Sequence, residues 1–541
     1  MTATSTDHLI VIPILLPLLG SALMLLLDRG NRLAKNAIAL AVTAAVLGVS
    51  LALLGGASSA GFAGEPAATA YRIGDWPAPF GIVLVIDWLS AMMLVLTNLL
   101  GLTSLIYALS RWDRAGPRFH SLFLLQLMGL NGAFLTGDLF NLFVFFEVLL
   151  AASYGLLLHG SGEARVRTGL HYVSINTAGS LLFLIGAALI YGVTGTLNMA
   201  DLAVRIPAVA AADLALLQSG MAVLGIAFLL KAGMWPLGFW LPRTYTSAAP
   251  PVAALFVILS KVGVYAVLRV YLLLFGGDAG WTASFGEEWL LFGGMATIAF
   301  GTIGVLAVRT LSGVAGYCLI ISSGTLLAIL GAGQGAVLAG ALFYLVSSSL
   351  AVSAFYLLID LLERQEAGLT PVPAGEPVFE DEFTGPIEDE EDEIGIVIPA
   401  TIAILGGGFV FSVLIIVGLP PLSGFIAKLA MIQGLLGLDQ SISAAMWWLI
   451  SLIIISGIAT LISASRAGID LIWTPPETPQ PALRLAEAVP VGLLLAVCLG
   501  LVIFAGPTMR YMERTGQSLT DRRGYIEAVL AVPTRTNAAL P

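Results

Sequence analysis

Four ionisable side chains lie inside long apolar segments of the chain, where a charge is costly. They are Glu147, Lys231, Lys261 and Lys428. A lysine at the centre of a membrane-spanning helix costs roughly 2.5–3.5 kcal/mol on insertion scales. An ionisable group in an apolar environment is pushed toward its neutral form, and it gains or loses a proton when its charged partner changes. These residue types, distributed along an apolar chain, predict a path for protons or other ions.

Glu147 and Lys231 are predicted to act together, because they are the two unpaired charges in the first half of the chain. A lysine that loses and regains a carboxylate partner changes its affinity for protons. The alternative is a structural ion pair that locks two helices together. A buried ion pair often contributes little net stability, since desolvation offsets the attraction, and this favours the functional interpretation.

Lys261, Lys428 and His171 extend the predicted relay beyond that pair. Lys261 has no acid in its own apolar segment, and Lys428 has the same place in the second half of the chain as Lys231 in the first. For both lysines the alternative is a side chain that reaches the membrane interface or has a structural role. His171 either bridges Lys231 and Lys261 or caps a polar pocket with Asn176, and both alternatives remain open.

Prolines interrupt two of the apolar segments close to these lysines. Pro236 follows Lys231, and the pair Pro420 and Pro421 precedes Lys428. A proline inside a helix removes a backbone hydrogen bond. The carbonyl groups that it frees are tolerated at membrane depth only inside protein or around a wet cavity. Both helix breaks are therefore predicted to lie beside the ion path.

The elements that must position these residues are membrane-spanning helices. Only 11% of the 541 residues are charged, and apolar runs recur along the chain. Each run is long enough to cross roughly 30 Å of hydrocarbon. The fold class predicted is an all-α polytopic membrane protein with about fourteen transmembrane helices. The spans are predicted at about 8–27, 34–55, 82–109, 118–136, 139–158, 168–192, 214–246, 250–275, 287–308, 312–332, 334–362, 396–436, 441–465 and 485–506.

The net charge of −10 has a local origin. Ten acids lie within 376–393, and no lysine or arginine lies among them. The acidic loop 363–395 is predicted to be a solvated linker, and a docking surface for a basic neighbour is the alternative. No basic face indicates nucleic acid, and no group of residues indicates a metal or a cofactor. Cys318 and Cys498 are predicted to be buried free thiols.

Lysine and arginine in the loops predict the orientation of the chain. They are concentrated in the loops 28–35, 110–118 and 159–168, whereas the loops 56–80 and 193–213 carry one each. Because positively charged loops stay in the cytoplasm, the N-terminus is predicted to be extracytoplasmic. With fourteen spans, the C-terminus is predicted to be extracytoplasmic as well. The arginines of the C-terminal tail argue against this prediction, because positively charged segments favour the cytoplasm.

Short sequence matches five spans apart predict an internal repeat. WPLGF at 235–239 matches PPLSGF at 420–425, and 171–176 matches 343–348. An offset of five spans reverses the direction of insertion, so the repeats are inverted. The predicted units, in chain order, are 1–110 (helices 1–3), 116–277 (first five-helix repeat), 284–467 (second five-helix repeat) and 468–541 (last helix and tail). Each repeat is predicted to contain one broken helix.

Three segments together resemble a known family. The sequences of 141–158, 231–271 and 418–430 are similar to those of the D subunits of Mrp-type cation/proton antiporters, which are relatives of the antiporter-like proton-pumping subunits of complex I and the membrane-bound hydrogenases. The resemblance covers most of 80–470. It implies a transporter subunit without a cofactor in the bacterial cytoplasmic membrane, assembled with other antiporter subunits. Such a complex would exchange cytoplasmic Na⁺ or another monovalent cation for external protons, along a charged axis formed by Glu147, Lys231, Lys261 and Lys428.

One region departs from that family. Relatives often carry a histidine or a lysine in span 11, where this chain has Ser347 and two further serines, and the next titratable group is Asp360. Hydroxyl groups and ordered water would have to carry protons there, with Ser347 and Asp360 as additional candidates.

Two other functions stay open. One is a proton-pumping subunit of a redox-driven complex, and neighbouring genes would distinguish it. The other is a structural scaffold whose buried charges only hold helices together. A scaffold predicts that Lys231→Arg retains transport, whereas a relay needs a residue that can lose its proton.

Overall fold

A computed structural model describes most of the chain, and its secondary structure is almost entirely helical. The described residues are 7–27, 31–62, 68–115, 118–160, 162–276, 282–333, 335–366, 400–437, 442–472 and 483–531. From residue 367 onward, the predicted acidic loop lies outside them. The helices are α1 (Ile12–Leu26), α2 (Arg32–Phe62), α3 (Trp88–Ala108), α4 (Phe119–Leu135), α5 (Leu139–Leu157), α6 (Glu163–Thr194), α7 (Met199–Arg205), α8 (Leu214–Ala232), α9 (Trp240–Ser247), α10 (Pro250–Leu274), α11 (Glu287–Ala307), α12 (Leu311–Ala332), α13 (Ala336–Glu366), α14 (Ala400–Val417), α15 (Ser423–Leu436), α16 (Ala444–Ile472), α17 (Leu485–Ile503), α18 (Ala505–Thr520) and α19 (Arg523–Leu530).

The apolar helices match the predicted spans in number and position. Within the described residues, 11 candidate spans are long and apolar enough to cross a membrane, and one of them joins α8 to α9. Three more apolar segments are shorter: α1, α4, and the pair α14 and α15. Together they make fourteen segments, two of which are broken. The predicted fold class is thus confirmed.

The packing of helices in the first half recurs in the second half. Helix α6 packs against α8 and α9, and five spans later α13 packs against α14 and α15. Likewise, α8 packs against α10, as α14 does against α16. This recurrence agrees with the predicted repeats, while their exact boundaries stay a prediction. Helix α9 also packs against α12, which joins the two halves.

Both predicted helix breaks are present. Helix α8 ends at Ala232, and Gly233 adopts a positive φ of 79° that a side chain rarely tolerates. Pro236 lies in the gap before α9, whereas Pro420 and Pro421 lie in the gap between α14 and α15. Gly418, with a φ of 84°, ends α14 in the same way as Gly233 ends α8.

A short hairpin lies between α2 and α3, and its second strand takes residues 83–87, which were predicted to belong to the span at about 82–109. That helix therefore begins later than predicted, at Trp88. Strand β1 (Ala68–Arg72) pairs antiparallel with β2 (Val83–Asp87), with Ala68 opposite Asp87. All five residues of β2 are buried. Asp87 ends the strand and caps α3, since its carboxylate accepts from the Ser90 backbone N–H at 2.9 Å. The hairpin therefore fixes the point where α3 begins.

Both ends of the described chain lie on the same face of the molecule. Near the N-terminus, His8 contacts the Tyr71 hydroxyl of β1 at 3.1 Å. Near the C-terminus, the Tyr511 hydroxyl donates to the Trp88 carbonyl at 2.6 Å, and α19 packs against β1. Since β1, β2 and the start of α3 are adjacent, this arrangement agrees with an even number of spans.

Candidate functional site

Glu147 lies on α5 and faces α6. The Ser180 hydroxyl of α6 donates to the Glu147 carboxylate. Helix α5 begins directly after Asp138, whose side chain accepts from the Asn141 backbone N–H at 3.0 Å and caps the helix. Burial raises the pKa of Asp138, although hydrogen bonds from the Asn141 and Phe140 backbone oppose the shift. The cap thus sets where α5 begins, and with it the position of Glu147 two turns later.

Lys231 lies in the last turn of α8, just before the break. Its ammonium nitrogen lies 4.9 Å from the centre of the Phe146 ring, a cation–π distance. Among the described residues, Lys231 has no ion pair with Glu147, so the expected direct pair is not formed. The Glu147 carboxylate instead accepts from Ser180, and the Lys231 ammonium faces the Phe146 ring.

A small cavity joins Lys231 to the neighbourhood of Lys261. It has a volume of ≈ 10 Å³ for the centre of a water molecule, and its lining includes Lys231, Asn176, Leu259 and Val262. A cavity needs about 10–15 Å³ of such volume to hold one water, together with polar partners. The cavity therefore lies between Lys231 and α10, the helix that carries Lys261.

Lys261 is completely buried within α10, with 0% of its surface exposed. Its ammonium donates to the Ser322 hydroxyl of α12 at 2.8 Å. The Ser322 and Ser348 oxygens are 3.0 Å apart, and Ser348 belongs to α13. Helices α10, α12 and α13 are shielded by other helices along almost their whole length. Lys261 therefore lies in the middle of the molecule and is hydrogen-bonded to hydroxyl groups.

Lys428 lies beside the second break. Its ammonium donates at 2.7 Å to the carbonyl of Val417, which is the last residue of α14. This carbonyl is free because the helix stops there, and a cation at a helix C-terminus is favoured by the helix dipole. Ser347 donates to the hydroxyl of Ser423, the first residue of α15, at 2.8 Å. Thus Ser347 reaches the helix that carries Lys428.

Two of the additional candidates lie away from these lysines. His171 is exposed on α6, and its ring lies 5.6 Å from the ring of Phe239. It is not in contact with Lys231 or Lys261 in the part of the chain that the structure describes. Asp360 pairs with Arg111 and accepts from the Tyr107 hydroxyl at 2.5 Å, toward the end of α13.

The structure adds groups that the sequence did not single out. Ser180, Ser322 and Ser423 bind the predicted residues, and only their place in apolar helices could have indicated them. Arg269 of α10 forms a buried ion pair with Asp87, with contacts of 2.5 and 2.8 Å. Burial raises the pKa of Asp87, but the charge and hydrogen bonds of Arg269 outweigh it and hold that pKa below its ordinary value.

Comparisons with known proteins agree on one family. Residues 136–374 match the family described as "NADH:quinone oxidoreductase/Mrp antiporter, TM". A protein of Rhizobium meliloti, named as the D component of a probable K(+)/H(+) antiporter, is 51% identical over 97% of this chain and 98% of its own length. The corresponding D component of the Na(+)/H(+) antiporter of Alkalihalophilus pseudofirmus is 32% identical over 97% of this chain and 99% of its own length.

Solved structures show the same fold. A chain in the structure of the Mrp complex from a Dietzia species has a TM-score of 0.82 and 25% identity, with 98% of this chain and 100% of that chain covered. A chain of respiratory complex I from Thermus thermophilus has a TM-score of 0.73 and 24% identity, over 95% of this chain and 99% of that chain. The second similarity concerns the fold alone.

Proposed function

This chain belongs to the D subunits of Mrp-type cation/proton antiporters, which are related to membrane subunits of complex I, and from that premise we propose that it carries the protons of the exchange. The proposed relay consists of Glu147, Lys231, Lys261 and Lys428. Protons enter one half of the molecule, occupy the lysines in sequence and leave through the other half. Glu147 controls the first of these steps through its charge.

The burial of Lys261 is the observation that carries this proposal. A lysine that is 0% exposed and donates to a serine has no acid to compensate its charge among the described residues. In an apolar environment, such a lysine gains or loses a proton easily. A scaffold would gain nothing from this arrangement, since an apolar side chain of similar size would pack without the desolvation cost.

The geometry between the lysines supports a continuous path. The small cavity beside Lys231 reaches α10 next to Lys261, and hydroxyl groups follow on the other side of Lys261. Lys428 is held at a free carbonyl beside the second break. Each lysine thus has a polar contact or a cavity beside it.

The cation and the partners belong to the same proposal. The protein works in a hetero-oligomer with other antiporter subunits, and it lies in the cytoplasmic membrane with its N-terminus outside. Na⁺ stays the sequence-based prediction for the cation. The relative with 51% identity is named for K⁺, however, and this supports a test of K⁺ beside Na⁺.

Antiport measured in everted vesicles tests the proposal. The complete gene cluster is expressed in an antiporter-deficient host with the wild-type chain, Glu147→Gln, Lys231→Ala or Lys261→Ala. Proton release is recorded on addition of K⁺ or Na⁺, and assembly is checked by copurification of the other subunits. Glu163→Gln, an exposed acid at the start of α6, is the matched control.

We expect the three relay variants to assemble and to lose antiport, whereas Glu163→Gln retains it. Wild-type rates in all three relay variants would show that protons take another route. The ratio of the proton release on K⁺ to that on Na⁺ in the wild type gives the cation preference. This result does not depend on whether the relay is correct.

A further inference from the structure

Hydroxyl groups continue from Lys261 into the second half of the molecule. Lys261 donates to Ser322 at 2.8 Å, and the Ser322 and Ser348 oxygens are 3.0 Å apart. All three side chains are buried, with exposed fractions of 0%, 1% and 7%. They belong to α10, α12 and α13, so this row of contacts crosses from the first predicted repeat into the second.

The protonation of Lys261 fixes the direction of these hydrogen bonds. An ammonium group has only donors, so Ser322 accepts from charged Lys261 and its own hydroxyl proton is free to point to Ser348. A neutral amine can accept, so the same two hydroxyl groups can reverse direction after Lys261 has lost a proton. Serine can serve in both directions because a hydroxyl group both donates and accepts.

We propose that Ser322 and Ser348 pass protons between Lys261 and the second half of the molecule, in place of a histidine or lysine on α13. In one concerted step, Lys261 gives a proton to the Ser322 oxygen, and Ser322 gives its own hydroxyl proton to Ser348. Ser348 then releases its hydroxyl proton to a water molecule. Each serine gains one proton and loses one, and Lys261 becomes neutral. Rotation of the two hydroxyl groups then restores the initial direction of the hydrogen bonds.

The far side of this link lies close to the second break. Ser347, next to Ser348 on α13, donates to Ser423 at 2.8 Å. Ser423 begins α15, and Lys428 follows five residues later on the same helix. That separation corresponds to a rise of about 7.5 Å along the helix axis, which leaves a gap for water between the serines and Lys428.

Asp360 does not serve this link, although it is the next carboxylate on α13. It lies twelve residues beyond Ser348, or roughly 18 Å along the helix. Its carboxylate already pairs with Arg111 and accepts from the Tyr107 hydroxyl at 2.5 Å. The Ser322 hydroxyl is therefore the recorded contact of the Lys261 ammonium, and Ser348 follows it.

Two neighbouring serines offer matched controls. Ser323 follows Ser322 and is 0% exposed, and its hydroxyl has no hydrogen-bond partner among the residues that the structure describes. Ser349 follows Ser348 and is also 0% exposed, and its hydroxyl donates to the Leu345 carbonyl of its own helix at 2.6 Å. Ser→Ala at these positions makes the same change at the same depth without touching the link.

The experiment uses the whole complex in everted vesicles, with Ser322→Ala, Ser348→Ala, Ser323→Ala, Ser349→Ala and Lys261→Ala in this chain. Assembly and melting temperature are measured for each complex. We expect Ser322→Ala and Ser348→Ala to lose antiport roughly a hundredfold, the low end of what a positioned proton-transfer group contributes. Both controls should stay close to the wild type. Ser322→Thr, which keeps a hydroxyl group, should restore transport relative to Ser322→Ala.

The outcomes separate this inference from the proposed function on which it rests. Wild-type antiport in Ser322→Ala and Ser348→Ala, with Lys261→Ala inactive, would overturn the serine link and leave the lysine relay standing. Wild-type antiport in Lys261→Ala as well would overturn both. If the two link variants fail to assemble while the controls assemble, the serines have a structural role and the link is also refuted.

Discussion

At Lys231, a substitution can separate positive charge from the ability to release a proton. Arginine keeps the charge and can face the Phe146 ring as lysine does, at 4.9 Å in the wild type. Its guanidinium does not lose a proton in proteins. We expect Lys231→Arg to assemble normally but to lose antiport roughly a hundredfold or more, as removal of a positioned proton-transfer group does. The measurement is cation-dependent proton release from vesicles.

Lys35→Arg is the control for that prediction, because Lys35 lies near the start of α2 and away from the relay. It should transport at the wild-type rate. Retained transport in Lys231→Arg would mean that a fixed charge suffices at this position, which is the scaffold interpretation.

The buried ion pair of Asp87 and Arg269 gives a second prediction for single residues. Breaking a buried pair by removing one charge costs about 3–5 kcal/mol, since the other charge stays buried without a partner. We expect Asp87→Asn to lower the melting temperature of the purified complex strongly. The pair of Asp201 and Arg205, four residues apart on α7, is the control. The Arg205 side chain is 46% exposed and stays solvated without its partner, so Asp201→Asn should cost less than Asp87→Asn.

The pH dependence of that effect has a definite sign. The pKa of Asp87 is held below its ordinary value of 3.8, because Arg269 outweighs the effect of burial. The stabilisation is therefore fully present above the unfolded-state pKa, and it is lost only as pH falls through the lower folded-state pKa. The difference in melting temperature between wild type and Asp87→Asn should stay constant from about pH 6 to about pH 9, well above both pKa values. A difference that shrinks across this range would contradict the assignment.

Lysines in apolar segments could be found from the sequence, whereas their serine partners could not. Lys261 is conspicuous because a charge in an apolar helix is costly. A serine costs little in a helix, where its hydroxyl commonly bonds a carbonyl of its own helix, as Ser349 does. What distinguishes Ser322 is the approach of α10 to α12, and this is a property of the packed molecule.

At the scale of elements, the break after α8 depends on one contact from α11. The Trp235 backbone N–H has lost its place in the helix, and it donates to the Thr297 hydroxyl at 2.9 Å. Thr297→Val leaves this N–H without a partner, which costs about 1–3 kcal/mol. We expect a lower melting temperature of the complex and a reduced rate of antiport, since the end of α8 carries Lys231.

Thr302→Val supplies the comparison for the break. Thr302 lies on the same helix and donates to the Ile298 carbonyl of its own helix at 2.7 Å. Thr302→Val should lower the melting temperature less than Thr297→Val does, and it should leave transport intact. Equal effects of the two substitutions would show that the contact to Trp235 has no special role.

Helix breaks and spans were predictable, but the hairpin was not. Pro236 and Pro421 end a helical pattern for a local reason, which the sequence carries by itself. Strands β1 and β2 consist of five residues each and lie on either side of an irregular segment. Strand β2 is apolar and buried, so in the sequence its residues continue the apolar run of the helix that follows it.

At the scale of the whole molecule, the positions of the two chain ends indicate the number of spans more directly than the charges of the loops do. The sequence left a conflict, since the basic tail argued against an extracytoplasmic C-terminus. In the structure, Arg522 of that tail donates to the Leu273 carbonyl at the end of α10 at 3.3 Å. Because Arg522 is bound by the protein, its charge is weaker evidence that the C-terminal tail lies in the cytoplasm.

The same argument gives the final prediction, which concerns sidedness. The native cysteines, Cys318 and Cys498, are both buried and free, so cysteines introduced on the surface can be labelled against a low background. Under the predicted orientation, Ser284→Cys and Asp521→Cys react with a membrane-impermeant maleimide in intact cells. Ala115→Cys, in the basic loop before α4, reacts only after the membrane is opened. The inverse pattern would reverse the predicted orientation. If Ser284→Cys and Asp521→Cys were labelled from opposite sides, an odd number of spans would separate them, and the packing of the C-terminal helices beside the end of α10 would be wrong.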